Sequence, residues 1–125
     1  MLVGTGIDMV EIHRIAQSIE RFGERFLSRV FTPGEIAYCL RKKNSAESFA
    51  ARFAAKEAAA KALGTGIQHG VTWKELEVRR EPGHPPNMHF SGRAREIADR
   101  LGVRHISLSL THNNTTAMAA VHLEN

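Results

Sequence analysis

Residues 45–63 read SAESFAARFAAKEAAAKAL, and they predict the one long helix around which the rest of the chain must fold. Alanine has the highest helix propensity of any residue, and no proline or glycine interrupts before Gly64. Ser45 is the expected N-cap, and Gly64 suits the left-handed position that closes a helix. Phe49, Phe53, Ala60 and Leu63 form the expected apolar side. The alanines let neighbouring backbone approach closely. Glu57 and Lys61 stand four apart on one face, and Arg52 and Lys56 form a second such pair. By spacing alone the first pair reads as a surface salt bridge, contributing about 0.3–0.5 kcal/mol.

Upstream, residues 2–8 alternate around Gly4 and Gly6 and predict a strand ending near Asp8. Ile12, Ile15, Ile19 and Phe22 then recur at helical spacing. Gly23 weakens that helix, and Phe26 and Val30 continue it on a second segment. Arg14, Arg21, Arg25 and Arg29 fall on one basic stripe if the helix persists through Gly23. Thr32 and Pro33 match an N-cap and first helical position, with Ile36, Ala37 and Leu40 following. That short helix stops in the polar stretch from Arg41 to Asn44.

Downstream, GTGIQHG is a glycine-rich loop. Residues 72–80 predict a strand carrying Trp73, Leu76 and Val78. A turn from Glu81 to Pro86 returns the chain into Asn87–Phe90, giving a hairpin. Ser91 is the expected cap of a last helix with Ala94, Ile97, Ala98 and Leu101 on one face, closed by Gly102. Two strands follow, HISLSL and TAMAAVHL, joined by a polar turn around Thr111 to Asn114. The order predicts an α+β fold: a mainly antiparallel sheet packed against helices, with residues 1–125 as one domain.

Apolar content of 42% and charged content of 24% are ordinary globular values. Cys39 is the only cysteine, so no intrachain disulfide forms, which suits a reducing compartment. The start, MLVGTGIDMVEI, lacks a basic n-region, and no run of about 18 apolar residues exists. A cytoplasmic protein with no membrane partner is expected. The net charge of +4 favours anionic partners. Aromatic content of 6% leaves little for base stacking, so nucleic acid is not the expected partner. The histidines lack zinc-ligand spacing, and no G-x-S-x-G elbow surrounds Ser107 or Ser109.

Asp8 closes the first predicted strand, where a buried carboxylate needs a partner. Asp8 and Glu57 are hard oxygen donors, and one or two carboxylates with phosphate oxygens commonly hold Mg²⁺. Spacing does not show that they meet. GTGID lacks the third glycine of a dinucleotide fingerprint, and GTGIQHG lacks the ending of a P-loop. Both also read as tight turns.

Four segments together resemble the holo-acyl-carrier-protein synthases, which are small phosphopantetheinyl transferases: GTGIDMVEIHRI, FAARFAAKEAAAKALGTG, EPGHPP and HISLSLTHNNTTAMAAV. They span nearly the whole chain in the family's order. The resemblance implies transfer of phosphopantetheine from coenzyme A to a carrier-protein serine, releasing adenosine 3′,5′-bisphosphate and supporting fatty acid biosynthesis. It implies Asp8 and Glu57 as Mg²⁺ ligands, with Glu57 and Lys61 catalytic. It further implies coenzyme A contacts from Asp8, Arg52, Glu57, Lys61, Gly64, Pro85 and His105, and carrier-protein contacts from Arg14, Arg21 and Arg25. A homotrimer with active sites at subunit interfaces is also implied. A transferase serving a specialised carrier has the same signature. In one place the chain departs from the pattern: relatives read S-H-S or S-H-T where this sequence has Ser109-Leu110-Thr111. His112 follows two residues later on the same side of an ideal strand, and neither residue is assigned a role.

Overall fold

The computed structural model describes residues 1–125. Its elements, in chain order, are β1 (Leu2–Glu11), α1 (Ile12–Phe22), α2 (Glu24–Val30), α3 (Pro33–Leu40) and α4 (Ser45–Ala62). A short 3₁₀ turn (Trp73–Glu75), β2 (Leu76–Arg79), β3 (Asn87–Phe90), α5 (Gly92–Leu101), β4 (His105–His112) and β5 (Thr116–Glu124) complete the chain. All strand pairs are antiparallel: one sheet runs β1-β5-β4 and the other is the β2–β3 hairpin. The fold is α+β, as expected.

The predicted long helix is α4, and it is buried on nearly every side. Ala50, Ala54, Ala55, Ala58, Ala59 and Ala60 have no exposed surface. Its inner face lies on β1, where glycines make the approach possible. A Cβ on Gly6 would overlap the Ala58 carbonyl oxygen, and one on Gly4 would overlap that of Ala62. The glycines of GTGID are therefore neither a turn nor a phosphate loop. They are the flat side of a strand against which an alanine helix packs.

Several boundaries differ from expectation. The first strand continues to Glu11 because its pairing with β5 persists to Glu11–Thr116, so Asp8 lies within the strand, opposite Ala119. Gly23 breaks the first helix outright, with φ 55° and ψ −129°. Asn44, not Ser45, caps α4, its side chain accepting from the Glu47 N–H at 3.2 Å. Trp73 belongs to the 3₁₀ turn rather than to a strand. Ser91 holds the N-cap position of α5 without a side-chain bond; the Glu75 carboxylate accepts the Arg93 N–H at 2.7 Å instead. Strand β4 extends through His112, so the Thr111–Asn114 turn is shorter than the sequence suggests. The Thr32 cap is as expected, reinforced by Glu35 accepting from the Thr32 N–H.

The second (i, i+4) pair of α4, Arg52 and Lys56, is in the interior. Lys56 forms an ion pair with Glu35 at 2.7 Å, with both side chains fully buried. Lys56 Nζ also donates to the carbonyls of Trp73 and Leu76, while Glu35 accepts from the Val78 N–H. This network joins α3, α4 and β2, and it leaves the opposite side of α4 to face β1 and Asp8.

Candidate active site

The inner face of β1 and the exposed side of α4 bring three predicted site residues together. Lys61 Nζ donates to Asp8 Oδ1 at 2.9 Å and to the Ile7 carbonyl at 3.1 Å. The (i, i+4) surface bridge between Lys61 and Glu57 is not the one made: Lys61 crosses to β1. Glu57 lies half-buried beside them, and its carboxyl is raised above the usual range. Burial is the main cause and the Asp8 charge adds to it, with Lys61 opposing. Two carboxylates thus share a small site with one ammonium group. Gly64 follows just beyond α4, at φ 82°, at the same helix end as Lys61.

Arg52 is elsewhere. Nine residues separate it from Lys61, and about 100° per residue puts the two on opposite sides of the helix. Its side chain lines a cleft of about 510 Å³ with Tyr38, Lys42, Lys43, Arg80 and His112. Four cations, Lys42, Lys43, Arg52 and Arg80, line this recess, and it opens at the N-terminal end of α4, where a helix dipole favours anions. Its chemistry suits a phosphate.

His112, which the sequence left without a role, lies where an ideal strand would put it. Because β4 continues through it, its side chain falls on the same face as Leu110, and both line the Arg52 cleft. Its Nε2 lies 3.2 Å from Glu47 Oε1. The alternation of HISLSLTH carried that signal, obscured by the polar turn next to it. His105 sits at the other end of the strand, opposite Glu124. Asp8 is opposite Ala119 on the same central strand, so His105 and Asp8 are roughly 17 Å apart along the strand direction. Pro85, in the β2–β3 turn, lines a separate recess with Ser107.

The basic stripe does not continue as one helix face. Arg14 and Arg21 are exposed on α1, whereas Arg25 and Arg29 of α2 line a groove of about 280 Å³ with Phe22 and Phe26. Cys39 is fully buried, and burial pushes its thiol up to about 11, which removes it as a nucleophile.

The sequence profile of the 4′-phosphopantetheinyl transferase superfamily matches residues 4–121, which includes every element of this site. The chain belongs to that superfamily. Among its relatives in the phosphopantetheinyl transferase superfamily is a holo-[acyl-carrier-protein] synthase of Koribacter versatilis, 59% identical over 99% of each chain. The crystal structure of the corresponding synthase from Neisseria meningitidis superposes with a TM-score of 0.89, at 32% identity and full coverage of both chains. That of Helicobacter pylori, in complex with coenzyme A, gives 0.85 at 33% identity, covering 96% of this chain and 99% of that one. The phosphopantetheinyl transferase fold therefore accounts for β1, α4 and the two sheets as a unit.

Proposed function

We propose that this enzyme moves phosphopantetheine from coenzyme A to a serine of apo acyl carrier protein, releasing adenosine 3′,5′-bisphosphate. The observation that carries the reading is the meeting of Asp8, Glu57 and Lys61 across β1 and α4, within a chain of this superfamily. The physiological carrier is the one of fatty acid synthesis, the setting is the cytoplasm, and residues 1–125 act as one transferase domain. No helix is long and apolar enough to cross a membrane.

The donor set fits a magnesium ion. Asp8 and Glu57 are two adjacent carboxylates without a third metal-binding side chain grouped with them, and Mg²⁺ is commonly held by one or two carboxylates, substrate phosphates and water. When bound, the ion offsets charge on the diphosphate. Lys61 supplies the remaining positive charge and stabilises the oxygen that departs with the nucleotide. Glu57, with its raised carboxyl, accepts the serine proton through a water. Phosphoryl transfer asks mainly for positioning and charge, and these side chains offer both.

The Arg52 cleft receives a phosphate at the nucleotide end. A diphosphate at Asp8 cannot reach the cleft of the same chain without passing around a helix about 10 Å across. One subunit then supplies Asp8, Glu57 and Lys61, and a neighbour supplies Arg52, which supports a homotrimer with shared sites. The outer face of the sheet supports it too: Ile7 and Met9 are 57% and 66% exposed, and Met9 lies opposite Met118. Pro85 and His105 line the nucleotide path, and Arg14, Arg21 and Arg25 meet the acidic carrier.

The test is direct. Incubated with coenzyme A, Mg²⁺ and apo carrier protein, the chain should add one phosphopantetheine to the carrier, read by mass spectrometry. No gain with several carriers sinks the activity; a gain indifferent to a chelator sinks the metal.

A further inference from the structure

Arg52 is an unusual buried cation. Only 5% of it is exposed, its Nε is buried without a hydrogen-bond partner, and no carboxylate lies within ion-pair distance. The nearby Glu47 is engaged by His112. Buried charges are normally paired, because desolvation is costly. What faces the guanidinium here is a ring: Arg52 Cζ lies 4.0 Å from the centroid of Tyr38. Lys42 Nζ is 4.7 Å and Arg41 Cζ 5.9 Å from the same ring. Tyr38 comes from α3 and Arg52 from α4, so the contact spans two helices at the mouth of the cleft.

We propose that Tyr38 is a positioning residue, whose ring face holds the Arg52 guanidinium in the cleft and so sets the affinity for the phosphate at the nucleotide end of coenzyme A. The inference rests on the assignment of that cleft to the nucleotide. A carboxylate in the place of Tyr38 would neutralise Arg52 and occupy its donors. An aromatic face attracts the cation without cancelling its charge or forking onto its donors as a carboxylate does. The guanidinium is thereby ordered before the phosphate arrives, which reduces the entropy lost on binding. The phenol responds to the same cations: burial pushes it up, but Lys42 and Arg52 outweigh burial and hold it below its ordinary range.

The experiment compares coenzyme A with 3′-dephospho-coenzyme A as substrates for the full-length enzyme. Tyr38→Leu should raise KM for coenzyme A roughly 2- to 30-fold, the range of a cation over an aromatic ring. The KM for the dephospho substrate and kcat with either should stay within about twofold. Tyr38→Phe keeps the ring and should restore the preference for coenzyme A. Tyr38→Met, which fills similar space without a ring, should behave as the leucine variant does. Equal KM increases for both substrates, or loss of the preference in Tyr38→Phe, overturns the proposal. Arg52→Ala separates the two levels: if it fails to narrow the preference, the assignment of the cleft is wrong. If it narrows the preference and Tyr38→Leu does not, only the role of Tyr38 falls.

Discussion

Lys61 Nζ donates to Asp8 Oδ1 across 2.9 Å, joining α4 to β1 over 53 positions of sequence. The Lys61 side chain is 51% exposed, so the pair contributes at most about 1 kcal/mol to stability. The importance proposed for it is chemical. Lys61→Met should leave the denaturation midpoint nearly unchanged and lower kcat about 10²- to 10³-fold, as removal of one charge-stabilising donor does. A large loss of stability with kcat preserved would make the pair structural.

Glu57 should work against stability in the metal-free protein. Its carboxyl is raised from an ordinary value of 4.5, chiefly by burial and then by Asp8. A raised carboxyl means the folded state binds its proton more tightly than the unfolded chain does. The associated stability is present below pH 4.5 and is lost as pH rises through the folded value. Glu57→Gln should therefore melt no lower, and probe for probe higher, at neutral pH, while turnover falls at least 100-fold. Wild-type turnover at saturating Mg²⁺ would exclude Glu57 as both ligand and base.

Gly6 tests the close approach of strand to helix. Gly6→Ala places a methyl against the Ala58 carbonyl, and backbone must move to admit it. Overpacking of this kind costs about 1–3 kcal/mol or more. Activity should fall further than stability does, because the same shift separates Asp8 from Lys61. A variant with wild-type melting and turnover would show that the contact is not tight in solution.

The buried pair Glu35–Lys56 predicts strong coupling. Lys56→Met leaves the Glu35 carboxylate in the interior without its cation and should cost about 3–5 kcal/mol in urea denaturation. Adding Glu35→Leu should recover part of that loss. Burial lowers Lys56 from 10.5 despite Glu35, in keeping with the desolvation that the apolar double variant relieves. A double variant as unstable as the sum of the singles would refute the coupling.

The exposed arginines of α1 carry the carrier-protein prediction. Arg14→Glu with Arg21→Glu should raise the carrier KM about tenfold or more and weaken its dependence on salt. The KM for coenzyme A should change little. Equal changes for both substrates would contradict that division.

The long helix, the Thr32 cap and the β2–β3 hairpin were legible in the sequence because propensity, capping and turn chemistry act over a few residues. Boundaries failed where a distant partner intervened. Pairing with β5 carried β1 past Asp8, and Glu75, from another element, took the capping duty expected of Ser91. The site was only partly legible. Asp8, Glu57 and Lys61 could be named from their motifs, but their meeting depends on Gly4 and Gly6 letting α4 lie close to β1.

Spacing along α4 fixed which residues share a face, and that much is helical geometry. It could not say which face would be buried. Arg52 and Lys56 share one face by spacing, and both are buried: Glu35, 21 positions before Lys56, draws the lysine inside, and Tyr38 receives the arginine. A charge goes to the interior only where remote groups compensate its desolvation, and chain folding alone brings those groups into place. Local sequence therefore determined the elements and the identity of Asp8, Glu57 and Lys61. Tertiary packing decided that those three meet, that Arg52 lines a separate cleft of the same chain, and that His112 stands beside it.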